Sequence, residues 1–150
     1  MPKKTINLTP DQQRVLTNVV FAETAGGPPE EVAAAASAYL NRVEKEGFER
    51  AMAGSSAYKF RSKQFVKATT GDLTPYEKAV WAQHNAINQQ LIANPDKILP
   101  FTHHENVRAF GEPSWAKDAV SFQDIGRQRF YVLKEKPRAR TKAVQTKVGK

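Results

Sequence analysis

The segment VVFAETAGGPPEEVAAAASAYLNRV, residues 19–43, decides the fold because it joins two helical patterns through a sharp break. Apolar residues recur at helical spacing up to Glu23, and residues 26–29 then run Gly-Gly-Pro-Pro. Consecutive glycines and prolines interrupt a helix, and the helical spacing of apolar residues resumes after them. The pattern therefore predicts helices over about 10–25 and 30–46, joined by a short turn.

Two helix starts carry the same capping signal. The strings LTPDQ and LTPYE both place Thr before Pro, with Gln12 or Glu77 three residues after the Thr. This is a capping box with Pro at the first helical position, where its missing N–H costs nothing. The second start predicts a third helix over about 75–93. Residues 53–72 have no steady period, and we predict a loop with short extended pieces there.

The C-terminal half has the character of a small β element. Residues 98–107 and 125–133 read ILPFTHHENV and IGRQRFYVL, and the second is rich enough in Ile, Phe, Tyr and Val for a strand. The string between them, residues 112–120, has room for one short helix. We therefore predict a single α+β, mainly α domain over 1–133, followed by a flexible basic arm at 134–150.

Composition and charge limit the classes of protein. The chain of 150 residues has no cysteine, which excludes disulfides and thiolate metal sites. Its N-terminus lacks the apolar region of a secretory signal, and no apolar run approaches the roughly 20 residues of a membrane span. We therefore expect synthesis in the cytoplasm without a signal peptide. Residues 134–150 hold seven Lys/Arg and one Glu, or +6 of the net +8, so we expect that arm to bind DNA or other proteins.

Glu23 lies on the apolar side of the first helix, one turn beyond Val19 and Val20. It is also near the C-terminus of that helix, where the macrodipole disfavours a negative charge. Both effects oppose ionisation, so we predict a raised pKa for its carboxyl. A glycosidase uses such a protonated carboxyl to protonate a leaving sugar oxygen. The alternative is a structural glutamate that bonds backbone N–H groups of the next helix or pairs with Arg42, and position alone does not decide between them.

Four pieces of the chain carry a family resemblance. They are residues 19–43, the pair Gln64-Phe65, Trp115 in EPSWAKD, and IGRQRFY at 125–131. In this order they resemble the cell-wall hydrolase family of spore-cortex-lytic enzymes (SleB type). The chain departs from the family pattern at two positions of the turn. Gly27 stands where the family has a second Glu, and Ala25 where it has an Arg.

The resemblance implies a lysozyme-like fold and peptidoglycan glycan strands as substrate. It also implies a lytic transglycosylase or muramidase that cuts the MurNAc–GlcNAc bond without a cofactor, with Glu23 as the catalytic acid. One carboxyl group suffices for a transglycosylase, since it donates a proton and then takes one from the sugar 6-hydroxyl. The residues expected to bind glycan are Gln64, Phe65, His103, Trp115 and Tyr131.

A second carboxylate near Glu23 would indicate an ordinary lysozyme instead. By their position in loops, the candidates are Asp72, Glu105 and Asp124. The string His103-His104-Glu105 does not favour a metal site, because consecutive side chains diverge on a strand or a helix. We therefore expect no metal. His84 stands alone on the apolar face of the third helix and is predicted to be a core histidine with its hydrogen bonds satisfied.

Two non-enzymatic alternatives stay open. In residues 57–67, three aromatic residues alternate with cations, a pattern suited to stacking on bases or sugars, or to a loop anchored by buried rings. The first alternative is a virion or nucleic-acid-binding component that uses the basic arm. The second, which the departure at Gly27 keeps open, is a degenerate hydrolase that only binds glycan. Because the substrate lies outside the cytoplasm, a bacteriophage origin, in the virion or in lysis, would reconcile the enzyme with the missing signal.

Overall fold

The computed structural model describes residues 5–134 and has a mainly helical α+β fold, as the sequence predicts. Except for Lys134, the predicted basic arm lies outside the described residues. The helices are α1 (Pro10–Thr24), α2 (Pro29–Glu46), α3 (Phe48–Ala53), α4 (Ser56–Lys59), α5 (Lys63–Thr70), α6 (Pro75–Ala93) and α7 (Val107–Phe110). The strands are β1 (His103–Glu105), β2 (Ala119–Ile125) and β3 (Gln128–Leu133), with single 3-10 turns at Pro95–Lys97 and Ser114–Asp118.

The three long helices form the core, and their predicted bounds agree with the structure to within one residue. Both capping boxes are present: Thr9 and Gln12 exchange hydrogen bonds of 3.0 and 3.1 Å, as do Thr74 and Glu77 at 2.9 and 3.1 Å. The alanine-rich face of α2 is buried against α1, α3 and α6. Because alanine is small, the backbones of these helices approach closely there.

The loop predicted over residues 53–72 is wrong, since α4 and α5 lie there. Each begins with a serine cap: Ser55 accepts a hydrogen bond from Tyr58 N, and Ser62 accepts one from Phe65 N, both at 3.2 Å. Four and eight residues are too short to display a helical period in the sequence. The serine caps were the available local signal.

The sheet is antiparallel with the order β1-β3-β2. Phe130 and Tyr131 on the central strand β3 are buried. Phe130 lies opposite His104 of the neighbouring strand β1. The sequence did not predict β2, an edge strand that is exposed along most of its length and therefore lacks an alternating pattern. Helix α2 contacts all three strands, so the end of α1, the body of α2 and the sheet meet around one place.

Candidate active site

Glu23 lies at that meeting point, in the last turn of α1. The hydroxyl of Tyr39 on α2 donates to both carboxylate oxygens, at 2.9 and 2.7 Å. Ser55 Oγ donates to Oε2 at 2.5 Å, and His104 Nε2 on β1 lies 3.2 Å from Oε1. The alternative pairing with Arg42 is wrong, because Arg42 bonds Glu46 at 2.7 Å. Four distant parts of the chain thus converge on this carboxylate.

A chain of hydrogen bonds continues behind His104. Its Nδ1 lies 2.5 Å from Gln128 Oε1, and Gln128 Nε2 donates to Glu31 Oε2 at 2.8 Å. Glu31 is only 1% exposed, and its Oε1 accepts from Arg127 N at 3.3 Å. A carboxylate only accepts, so the amide nitrogen of Gln128 faces Glu31 and its oxygen faces the imidazole. We therefore assign the proton on Nδ1 to the bond with Gln128, which directs Nε2 at Glu23.

The pKa of Glu23 is lowered, so the predicted raised pKa is wrong. Burial raises it, as the sequence argument held, but the hydrogen bond and charge of His104 and the hydroxyls of Ser55 and Tyr39 outweigh burial. Burial lowers the pKa of His104, yet the bonds and charge of Glu23 and the bond to Gln128 raise it overall. When the pair holds one proton, that proton is therefore on His104 and Glu23 is a carboxylate.

Two side chains next to this pair, the phenol of Tyr39 and the imidazole of His103, are uncharged at neutral pH. Burial, followed by the charge of Glu23, raises the pKa of Tyr39 well above its ordinary value, so its phenol stays a donor. Burial and the positive charge of Arg42 lower the pKa of His103 to about 4. The pKa values of the adjacent histidines of β1 are thus shifted in opposite directions, because their side chains face different surroundings.

Two clefts meet at Glu23. The first has a volume of about 630 Å³, and its walls include His103, Phe110 and Trp115. The second has a volume of about 460 Å³, and its walls include Gln64 and the 74%-exposed ring of Tyr76. Glu23 and Arg127 line both clefts. A ligand in either cleft would therefore lie against Glu23 and Arg127.

Three of the predicted glycan-binding residues line these clefts. The rings of His103 and Trp115 lie 5.0 Å apart in the first cleft. Gln64 lines the second, and within the described chain its Oε1 is buried without a hydrogen-bond partner. Their role in binding stays a prediction.

The other two predicted glycan-binding residues are packing residues, and their assignment is corrected. Phe65 is 3% exposed and packs on Tyr58 in the core, with ring centroids 5.6 Å apart. Tyr131 is fully buried beneath Trp115, at 5.0 Å between centroids, and supports that ring. Aromatic residues in a motif are commonly packing, and sequence spacing did not separate the two roles.

The possible second carboxylates are distributed unevenly. Glu105 lines the first cleft, Asp124 pairs with Arg129 at 2.7 Å in the β2–β3 hairpin, and Asp72 lines neither cleft. Glu31, which the sequence analysis passed over, also lines the first cleft. Among residues 5–134, no group of three or more His, Asp or Glu is arranged to hold a metal ion.

The sequence analysis also missed Tyr39, Ser55, His104 and Gln128 as partners of the candidate acid. Tyr39 lay on an apolar helix face, which indicated only packing. The available signal was in His103-His104-Glu105, since a strand there directs the middle side chain away from its neighbours.

Comparison of the chain with protein-family models, with curated proteins and with solved structures finds no match in any of the three. Within the described residues, no helix is both long enough and apolar enough to cross a membrane.

Proposed function

We propose that this protein is a peptidoglycan-cleaving glycosidase, a lytic transglycosylase that cuts the MurNAc–GlcNAc bond with Glu23. One observation carries the proposal: Glu23 lines two clefts, and three side-chain donors from separate elements fix the position of its carboxylate. A polymer that crosses both clefts presents an internal bond to this group. Fixing the acid in advance lowers the cost of reaching the geometry for proton transfer.

The proposed reaction uses one carboxyl group twice. Glu23 donates a proton to the glycosidic oxygen, and the C1–O bond breaks as the N-acetyl group of the muramic sugar supports the positive charge at C1. The 6-hydroxyl oxygen of the same sugar then bonds C1, and its proton passes to the Glu23 carboxylate. The products are a 1,6-anhydro sugar and a free 4-hydroxyl, and the site regains the proton that it gave.

The geometry beside the turn at 25–27 supports the proposal. A Cβ at Gly27 would lie 2.5 Å from Glu31 Oε1, so the Glu31 carboxylate fills the space that a side chain at 27 would need. The Arg127 guanidinium donates to Ala25 O at 3.1 Å. A carboxylate and a guanidinium therefore stand beside this turn, although the turn itself lacks the Glu and Arg of the family pattern.

The cell wall as the site of action, and a bacteriophage virion or lysis role, are part of the proposal. They rest on the substrate, because glycan strands are outside the cytoplasm in which we expect synthesis. The competing role, DNA or protein binding by 134–150, depends on residues outside the described chain. Deleting residues 134–150 tests it: salt-dependent DNA binding should be lost while wall cleavage persists, and unchanged DNA binding would exclude the arm as the binding site.

Digestion of purified peptidoglycan tests the proposal, with products identified by mass spectrometry. We expect 1,6-anhydro muropeptides from the wild type and a loss of about 10²–10⁴-fold in rate for Glu23→Gln. The exposed Glu30→Gln is the matched control and should retain wild-type activity. Reducing ends in place of anhydro ends would indicate a hydrolysing muramidase, with Glu105 and Glu31 to be tested next. Failure of the wild type to cut any wall would overturn the proposal.

A further inference from the structure

The resting state of the site raises a chemical problem that the fold answers. A general acid must carry a proton, yet the surroundings of Glu23 favour its carboxylate form. The proton of the pair then resides on the partner, 3.2 Å away at His104 Nε2. His104 is well enclosed, with its side chain 10% exposed and its ring packed on Tyr39 and Phe130 at centroid distances of 5.6 and 5.3 Å.

We propose that His104 holds the proton that Glu23 donates, and that Gln128 and Glu31 fix the imidazole so that only Nε2 exchanges it with the carboxylate. This rests on the proposed glycosidase function. His104 acts through Glu23 and is therefore a positioning and proton-supplying residue. Gln128 and Glu31 act one and two bonds further back.

Substrate binding provides the reason for transfer. The side chains of Glu23 and His104 retain 15% and 10% exposure, and both line the first cleft. A glycan in the clefts would displace the remaining water. Exclusion of water disfavours two separated charges relative to a neutral pair, so the proton moves from Nε2 to Oε1. His104 becomes neutral, with its Nδ1 proton still donated to Gln128, and Glu23 becomes a carboxylic acid.

One turnover leaves the number of protons on the Glu23–His104 pair unchanged. Glu23 gives one proton to the leaving oxygen and regains one from the 6-hydroxyl, and the pair returns to carboxylate and imidazolium when the product leaves. The site therefore stays active for as long as the pair holds one proton.

Several charged and titratable groups surround the pair, and each bears on its pH dependence. Tyr39 and Ser55 donate to Glu23, while Gln128 bonds His104 and Glu105 on β1 favours its charged form. The remaining charged or titratable groups that line the first cleft are Glu31, Arg42, His103 and Arg127.

The alkaline limb of the pH–activity profile tests the proposal. In the wild type, activity should fall only as the pH rises through the raised pKa of His104, above the ordinary value of about 6.5. In His104→Gln, the limb should move at least about one pH unit lower, because Glu23 must then hold its own proton. His103→Gln is the matched control from the same strand and cleft. It is expected to weaken substrate binding and to leave the limb in place, because His103 is already neutral there.

Two outcomes of the profile would overturn the proposal. One is an unmoved limb in His104→Gln, and the other is an equal shift in His103→Gln.

Nuclear magnetic resonance of protein labelled with ¹⁵N in its three histidines tests the pair without activity and without the His104 variant. One imidazole should titrate above the ordinary histidine value of about 6.5 in the wild type and below it in Glu23→Gln. Unchanged titration of all three would overturn the proposal. If the wild type cuts no wall while this shift is seen, the proposed function fails and the proton-sharing pair stands.

Discussion

His84 and His104 are both enclosed by the fold, yet their pKa values are shifted in opposite directions. His84 on α6 is 3% exposed and contacts the ring of Phe21 edge-on at 5.8 Å. Burial lowers its pKa to about 4. The pKa of His104 is raised, although burial acts on it in the same direction as on His84. Burial therefore does not by itself determine whether a histidine is charged, because the partner decides it.

A difference of two positions on one helix produces the contrast. Phe21 and Glu23 are both in α1, and side chains two residues apart on an α-helix point to nearly opposite sides of its axis. Phe21 gives His84 an apolar neighbour. Within the described chain His84 Nδ1 is buried without a hydrogen-bond partner, so the prediction of a satisfied core histidine is confirmed for burial and wrong for hydrogen bonding. Glu23 gives His104 a carboxylate. One side of α1 thus supports a neutral core histidine, and the other holds a charged pair at the clefts.

Removing the Glu31 carboxylate, which lies behind the Glu23–His104 pair, is expected to have the largest effect on stability. Glu31→Ala leaves Gln128 Nε2 and Arg127 N–H without their buried acceptor, and we expect a loss of about 4 kcal/mol in the free energy of unfolding. It also removes the shorter of the two hydrogen bonds that Gln128 Nε2 donates, and the longer bond to Glu23 O then holds the amide less firmly against the imidazole of His104. Urea denaturation measures the loss.

The neighbouring Glu30→Ala is the control for Glu31→Ala. Glu30 lies on the same helix turn but is exposed, so its removal should change stability by no more than about 0.5 kcal/mol. Equal losses in the two variants would contradict the role given to the buried carboxylate.

Replacing His84 is expected to make the stability of the fold less sensitive to acid, which tests the neutral histidine of the comparison. The pKa of His84 is lower in the folded chain than in the unfolded chain, where it is about 6.5. As the pH falls below 6.5 the unfolded chain takes up the proton first, so stability is full above 6.5 and decreases towards pH 4. Between these limits the group accounts for about 3 kcal/mol.

In His84→Leu, we therefore expect the loss of stability from pH 6.5 to pH 4 to be smaller than in the wild type by about 3 kcal/mol. His103 has a similarly lowered pKa, but it is present in both proteins and cancels in the comparison. Urea denaturation at the two pH values measures the difference. An equal acid loss in both proteins would mean that folding does not lower the pKa of His84.

The contrast also explains which features the sequence predicted. Helix α6 was predicted at both ends, because a capping box begins it and Asn94-Pro95 follows it. The neutral state of His84 needs only an apolar helix face, which is a local pattern. The charge state of Glu23 depends on Ser55 and His104, which lie 32 and 81 positions away in the sequence. Local patterns therefore located the candidate acid and gave the wrong direction for its pKa.

The smallest expected effect distinguishes a serine that only caps a helix from a serine that also donates a hydrogen bond to Glu23. Ser55 caps α4 and donates to Glu23, whereas Ser62 caps α5 through a bond of equal length and has no hydrogen bond to Glu23. Each Ser→Ala change should cost about 1 kcal/mol in stability, from the lost cap. Only Ser55→Ala should raise the pKa of Glu23, because one donor to the carboxylate is removed. Titration of the Glu23 carboxyl carbon by ¹³C resonance measures that difference. If the pKa of Glu23 does not respond to Ser55→Ala, His104 is the dominant partner of the carboxylate. The surroundings of His84 and His104 would then differ only by the Glu23–His104 pair.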